Sequence, residues 1–271
     1  MSEFVVGNKK FKTENHTYVM GILNMTPDSF SDGGIHNQVD DVYYYVEQMI
    51  RDGMDILDIG GESTRPGYTK ISDEEEIDRV VPAIEGIVKR FDIPVSLDTY
   101  KSKVAEAGLS AGASLINDIW GLKYDEKMAS IIADSGASVC LMHNRINAEY
   151  EDFVSEVETD LSQSIYLANK AGIEDNRILL DPGVGFAKSY EQNLLITQNM
   201  DRLRLLGYPV LLGASRKSMI GLTLEVPVQE RLSGTLATTA LAVMKGASFV
   251  RVHDIKENVQ LIKMMEAVLY I

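Results

Sequence analysis

The side chains best suited to chemistry in this sequence recur at one kind of place, directly after short apolar runs. Asn24 follows the run 18–23, Glu62 to Arg65 follow 56–59, Asp98 follows 95–97, and Asn117 and Asp118 follow 114–116. Met142, His143 and Asn144 close the run 138–142, Asp181 follows 178–180, Ser215 to Ser218 follow 210–212, and Arg251, His253 and Asp254 end the run 249–252. Asp98, Asn117 and Asp181 offer two carboxylates that only accept hydrogen bonds and one amide. That set suits a ligand edge rich in N–H donors, such as the guanidine-like side of a pterin or guanine ring. Arg65, Lys217, Arg251 and His253 offer donors and positive charge, which suit phosphate or carboxylate groups. A flat amino-heterocycle held beside an anion is the combined expectation. Taken singly, each Asp or Asn could equally cap a helix or make a turn, as Asp181 before Pro182-Gly183 and Asn24 before Thr26-Pro27 could. Capping does not explain eight such positions in register, several of them followed by Pro or Gly instead of a helix.

The elements that must position these residues follow from periodicity. The apolar runs are short, continuous and rich in β-branched residues, as strands buried on both faces of a parallel sheet are. Amphipathic segments separate them. Ser72 and Glu75 form a capping-box pattern, and Ile77, Val80, Val81, Ile84, Ile87 and Val88 then mark one helical face, with Pro82 expected to kink a single helix. Eight strand-then-helix units in 271 residues predict a (β/α)8 TIM barrel in preference to an open doubly wound sheet. Ahead of them, Phe4 to Val6, a turn at Gly7-Asn8 and residues 11–13 predict a short N-terminal β-hairpin plugging one end. Residues 1–271 are expected to form a single domain, with 1–17 as the plug. In such a barrel the reactive face is the carboxyl end of the strands, where the polar residues above collect.

The totals remove several classes of function. Forty acidic and 26 basic residues give a net charge of −14, which argues against nucleic acid and anionic membrane as partners, both usually held by basic surfaces. The apolar stretch 232–244 falls well short of the roughly 20 residues that a membrane span needs. Met1-Ser2-Glu3 opens no secretory signal, and the lone Cys140 has no partner for an internal disulfide, so a cytoplasmic location is expected. Cys140 itself reads as a small buried apolar residue. An anionic ligand must then meet a local basic or metal site, and the mouth of the barrel is expected to be locally positive.

The segments 21–34 (GILNMTPDSFSDGG) and 58–67 (DIGGESTRPG) resemble the two signature loops of the dihydropteroate synthase family. The resemblance continues through SLDTYK at 96–101, INDI at 116–119, LMHN at 141–144, DPGVGFAK at 181–188, GASRKS at 213–218 and RVHD at 251–254, essentially the whole chain after the hairpin. It implies a transferase of folate biosynthesis. Such an enzyme joins 4-aminobenzoate to 6-hydroxymethyl-7,8-dihydropterin pyrophosphate, is a target of sulfonamides, requires magnesium (Mg2+) and is usually a homodimer. By the same resemblance Asp98, Asn117, Met142, Asp181, Gly213 and Lys217 bind the pterin, and Asn24, Arg251 and His253 bind the pyrophosphate, Asn24 also holding the metal. Phe30, Thr64, Arg65, Pro66, Phe186, Lys217 and Ser218 are implied for 4-aminobenzoate, and Asp98, Lys217, Arg251 and His253 for catalysis. Arg251 and His253 lie two apart and so face one side of an extended strand, as a clamp would.

The expected chemistry is a largely dissociative displacement, because loss of pyrophosphate from a methylene on an electron-rich ring leaves a delocalised cation, next to which an anionic Asp98 is stabilising. The two signature loops are expected to close only over a bound pyrophosphate. A corrinoid-dependent methyltetrahydrofolate methyltransferase would account for Asp98, Asn117 and Asp181 but leaves the loops, the Ser-Arg-Lys-Ser segment and the Arg251/His253 pair without a role. A non-catalytic pterin-binding paralogue is the third alternative, against which the intact Asn24, Phe30, Arg65 and Lys217 argue.

Overall fold

A computed structural model describes residues 3–25, 35–62 and 70–271. Eight parallel strands run β3 (Tyr18–Asn24), β4 (Ile56–Gly60), β5 (Val95–Asp98), β6 (Leu115–Asp118), β7 (Ser138–Met142), β8 (Ile178–Asp181), β9 (Leu211–Leu212) and β10 (Phe249–Val252). Each pairs with its neighbour in sequence, β10 also pairs with β3, and a single parallel bridge from Leu180 to Val210 joins β8 to the ninth strand's edge. The predicted barrel is therefore present, with its thinnest seam at the two-residue β9.

Helices cover the outside: α1 (Ile35–Arg51), α2 (Asp73–Arg90), α3 (Ser102–Ala111), α4 (Met128–Ser135), α5 (Phe153–Ala171), α6 (Tyr190–Gln198), α7 (Ser218–Leu224), α8 (Leu232–Met244) and α9 (Ile255–Leu269). As expected, α2 is one helix running through Pro82. Its cap differs in part from the expected box. Ser72 accepts from the Glu75 backbone at 3.1 Å, but the Glu75 carboxylate reaches forward to Arg79 at 2.5 Å, an i, i+4 pair on the exposed face. A complete box stands instead at α6, where Ser189 and Gln192 bond reciprocally.

Two apolar layers follow from the period of two along each strand. Outward residues such as Leu57, Leu97, Val139 and Val250 pack against the helices. Inward residues Met20, Ile56, Leu115, Cys140, Leu179, Leu211 and Phe249 form a floor inside the barrel. The hairpin of β1 (Glu3–Val6) and β2 (Lys9–Lys12) closes that floor from below, with Phe4, Val6 and Phe11 packed into it and Phe4 meeting Phe249 edge to face at 5.5 Å. Cys140 is buried in the floor, and burial raises its thiol well above the ordinary value, so it stays unionised. Among the described residues no helix is long and apolar enough to cross a membrane.

Candidate active site

Above the floor the inward positions turn polar. Asn24, Gly60, Asp98 and Asn117 are register neighbours, one rung across β3 to β6. Two residues earlier on β4 and β5, and so also inward, lie Asp58 and Ser96. Arg251 reaches from β10 across the interior: Nε donates to Asp58 at 2.6 Å and a terminal nitrogen to Asp98 at 2.7 Å. Four buried atoms in this tier have no hydrogen-bond partner: Asp58 Oδ1, Ser96 Oγ, Asp98 Oδ1 and Asn117 Oδ1. Buried acceptors left open cost free energy, so a tier of them is suited to receiving donors from a ligand.

Asp181 closes the circle from β8. It is 4% exposed and accepts from the Gly183 backbone at 2.7 Å. A Cβ at Gly213 would stand 3.3 Å from Asp181 Oδ2 and 3.9 Å from Lys217 Nζ, so the missing side chain leaves the space between that carboxylate and that ammonium open. Lys217 Nζ donates to the Val184 carbonyl and sits 4.9 Å above the centre of the Phe186 ring. Phe186 in turn packs with Tyr100, Ile119, Trp120 and Met142 in an apolar collar at the rim. A flat ring fits such a slot, with apolar faces and hydrogen bonds confined to its edge.

The electrostatics follow from burial opposed by pairing. Burial pushes the Asp98 carboxyl up to about 7, with Asp58 adding to the effect and Arg251 opposing it. Arg251, divided between two carboxylates, does not offset that burial. Burial likewise raises Asp181 and lowers Lys217 to about 8, although each charge supports the other. For Arg251 burial opposes the charge, but Asp58 and Asp98 outweigh it and hold the group above its ordinary value. Among the described residues, Asp58 and Asp98 share Arg251, and Asp181 has Lys217 as its principal cation, with Arg251 and Lys188 farther off. The expected positive charge of the mouth rests in part on Arg65, which lies outside the described residues.

His253 follows β10 and stands on the same side as Arg251. Ser215 Oγ accepts from the His253 backbone at 3.2 Å and lies 3.0 Å from its Nδ1. Ser215 thus ties both the backbone and the ring of His253 to the segment after β9. Arg216 faces away from this region and binds Asp254 through both ends of its guanidinium, at 2.9 and 2.5 Å. Asp118 is also structural, its carboxylate taking the backbone N–H groups of Trp120 and Leu122 at 2.9 and 2.7 Å. Ser218 is exposed and is the first residue of α7; Lys217 occupies the cap position, with no side-chain cap bond.

Of the sequence-predicted residues, the fold brings Asn24, Asp98, Asn117, Met142, Asp181, Phe186, Gly213, Lys217, Ser218, Arg251 and His253 to the carboxyl end of the strands. Phe30, Thr64, Arg65 and Pro66 lie outside the described residues, as do the central parts of both signature loops. Sequence reasoning passed over Asp58, Ser96 and Ile119. For Ser96 a signal was present, since it stands two residues before Asp98 on the same strand and so shares its face.

A family model described as pterin binding enzyme matches residues 20–253. A dihydropteroate synthase of Clostridium beijerinckii is 55% identical, over 97% of this chain and 98% of its own length. The crystal structure of dihydropteroate synthase from Clostridium difficile, in the presence of pteroic acid, superposes with a TM-score of 0.92 at 45% identity and covers 98% of this chain and 99% of that one. The Xanthomonas albilineans enzyme, solved with 4-aminobenzoic acid, gives a TM-score of 0.94 at 40% identity, covering 100% and 99%.

Proposed function

Because the chain belongs to the dihydropteroate synthase family, we propose that its barrel mouth condenses 6-hydroxymethyl-7,8-dihydropterin pyrophosphate with 4-aminobenzoate, forming 7,8-dihydropteroate and pyrophosphate. The observation that carries the reading is the tier of unpartnered buried acceptors on Asp98, Asn117, Ser96 and Asp58 next to Asp181. A pterin edge is rich in N–H groups and supplies the donors that this tier lacks. Asp181 and Asn117 take that edge, Lys217 donates to the ring's carbonyl side, and Met142, Phe186 and the bare Gly213 leave a slot one ring thick.

The reaction breaks the bond between the pterin methylene and the pyrophosphate oxygen, and pyrophosphate leaves with the electron pair. Asp98, anionic beside the ring, stabilises the positive charge that develops there. Arg251 and His253 face the departing group. The amine nitrogen of 4-aminobenzoate then bonds to the methylene carbon and releases a proton, so no protein nucleophile is needed. The aryl substrate lies toward the rim, against Phe186, Lys217 and Ser218, with Phe30, Thr64, Arg65 and Pro66 completing its pocket.

Among the described residues there is no group of three or more His, Cys, Asp or Glu able to hold a metal by itself. Asn24 fits a shared site: its amide is a hard oxygen donor at the end of β3, on the same rung as Asp98. Magnesium keeps waters and accepts one protein ligand beside phosphate oxygens, and when bound it supplies charge neutralisation to the pyrophosphate.

We further propose a cytoplasmic location and a homodimer, for which the exposed apolar side chains of Leu222, Leu224, Met244 and Met264 on α7 to α9 are the support. The central test is pyrophosphate release from the pterin ester with and without 4-aminobenzoate and magnesium. Release that needs both is expected. Pterin binding with no turnover dependent on 4-aminobenzoate would replace the synthase by a binding protein.

A further inference from the structure

Behind the loop that carries Phe186 runs a chain of polar contacts with no part in the chemistry above. Lys188 Nζ stands 2.8 Å from His143 Nδ1 and donates to the carbonyls of Gly183 and Phe186, both at 3.0 Å. His143, with no exposed surface, lies just past β7, and its Nε2 is 3.0 Å from Asp160 Oδ2 on α5. The same carboxylate oxygen receives Nε of Arg145 at 2.5 Å.

The proton positions follow from counting donors. An ammonium has three N–H groups, and three acceptors surround this one, so the geometry favours the charged lysine even though burial pushes it down to about 7. His143 Nδ1 is then an acceptor, and Nε2 carries the ring proton to Asp160. Burial, reinforced by the Lys188 charge, takes His143 down to about 3, so the ring stays neutral.

The two carbonyls that Lys188 holds bracket the backbone serving the ligand-facing groups. Gly183 N–H orients Asp181, the Val184 carbonyl takes Lys217, and the Phe186 ring lies beneath the Lys217 ammonium. The segment has little reason of its own to hold this shape. Gly183, Gly185 and Ala187 all have left-handed backbones, at φ +70°, +86° and +45°, and Ala187 adopts its conformation without glycine's freedom. Gly183 also passes so close to His143 that a Cβ there would fall 2.0 Å from the His143 carbonyl oxygen.

We propose that Lys188, backed by His143 and Asp160, is a positioning residue for the synthase reaction. It fixes the 182–187 loop, and through that loop sets where the Asp181 carboxylate and the Lys217 ammonium meet the pterin. It touches no reacting atom itself. The inference rests on the pterin-slot reading above.

The test is Lys188→Met, isosteric along the stem but without the three donors. Its affinity for the dihydropterin pyrophosphate, titrated directly on folded protein, is expected to fall about tenfold, and KM for 4-aminobenzoate to rise with it, beyond the lower unfolding midpoint that three buried acceptors without a donor bring. A role in stability alone would lower the midpoint and the active fraction and leave the affinity and KM of the remaining enzyme unchanged, and that result overturns the proposal. If Lys188→Met does not fold, Asp160→Asn, two contacts away and partly exposed, is expected to weaken pterin binding in the same direction, by about threefold. Unchanged pterin affinity in a folded Asp160→Asn likewise overturns it. Direct titration separates this outcome from failure of the functional reading, which would appear as a parent protein with no 4-aminobenzoate-dependent pyrophosphate release.

Discussion

At Arg251 two carboxylates share one guanidinium, and much of the site's behaviour follows from that division. Replacing Arg251 by Met leaves Asp58 and Asp98 buried without their cation, and breaking a buried pair in this way costs about 3–5 kcal/mol. A urea titration of Arg251→Met should show that loss, separately from the loss of activity. The shared cation also sets the pH dependence. Asp98, raised to about 7, is neutral below that pH and cannot stabilise a cation, whereas Lys217, lowered to about 8, gives up its proton above it. Turnover is therefore expected to climb through about pH 7 and decline above about pH 8, a narrow bell in kcat/KM. In Asp98→Asn the acid limb should disappear along with most of the rate; pyrophosphate release at the parental rate would remove Asp98 from the mechanism. Because burial raises Asp98, its ionisation lowers the stability of the unliganded fold as pH rises from the ordinary carboxylate range to about 7, and a bound donor edge relieves that cost. The sequence placed Arg251 and His253 on one face correctly, since strand alternation is a local rule. It could not show that Asp58, nearly two hundred residues earlier, lies within reach of Arg251, because no spacing encodes which side chains meet across a barrel.

Among the elements, the N-terminal hairpin was the easiest to read and has the clearest energetic role. Gly7-Asn8 between short alternating runs is a local signal, and Gly7 adopts the positive φ of 58° that such a turn requires. Phe4 is fully buried against the barrel floor. Phe4→Ala is expected to lower stability by about 3–5 kcal/mol with KM for both substrates unchanged, because the floor lies a layer beneath the ligand-facing tier. Calorimetry and steady-state kinetics on the same preparation check both halves. Less legible were the helix starts. The Ser72 cap and its bond from the Glu75 backbone were legible, but not the fate of the Glu75 carboxylate, which is also placed for an i, i+4 pair with Arg79, and sequence does not rank the two. Nothing in the segment 181–188 itself signals a role for Lys188, since the groups that give it its meaning come from His143, just past β7, and from Asp160 on α5.

For the whole molecule, the −14 charge excludes broad classes of partner but does not describe the interior. Among the described residues around the slot, Asp58, Asp98 and Asp181 outnumber Arg251 and Lys217, and if magnesium takes part as proposed, its chelation should abolish pyrophosphate binding at ordinary concentrations. The exposed apolar side chains on α7 to α9 bear on assembly. Leu222, 62% exposed, is expected at the dimer contact, and Leu222→Asp should sediment as a monomer while keeping the parent's circular dichroism. Below the slot, the hairpin packs Phe4, Val6 and Phe11 into the floor, so among the described residues that end of the barrel is filled. Whatever occupies the floor-side position beside Asp181 is expected to arrive before a second molecule settles near Ser218, since the hairpin fills the opposite end. Order of arrival is thereby set by depth. The pterin should compete with the finished product at every concentration of 4-aminobenzoate, and 4-aminobenzoate alone should find almost nothing to hold it.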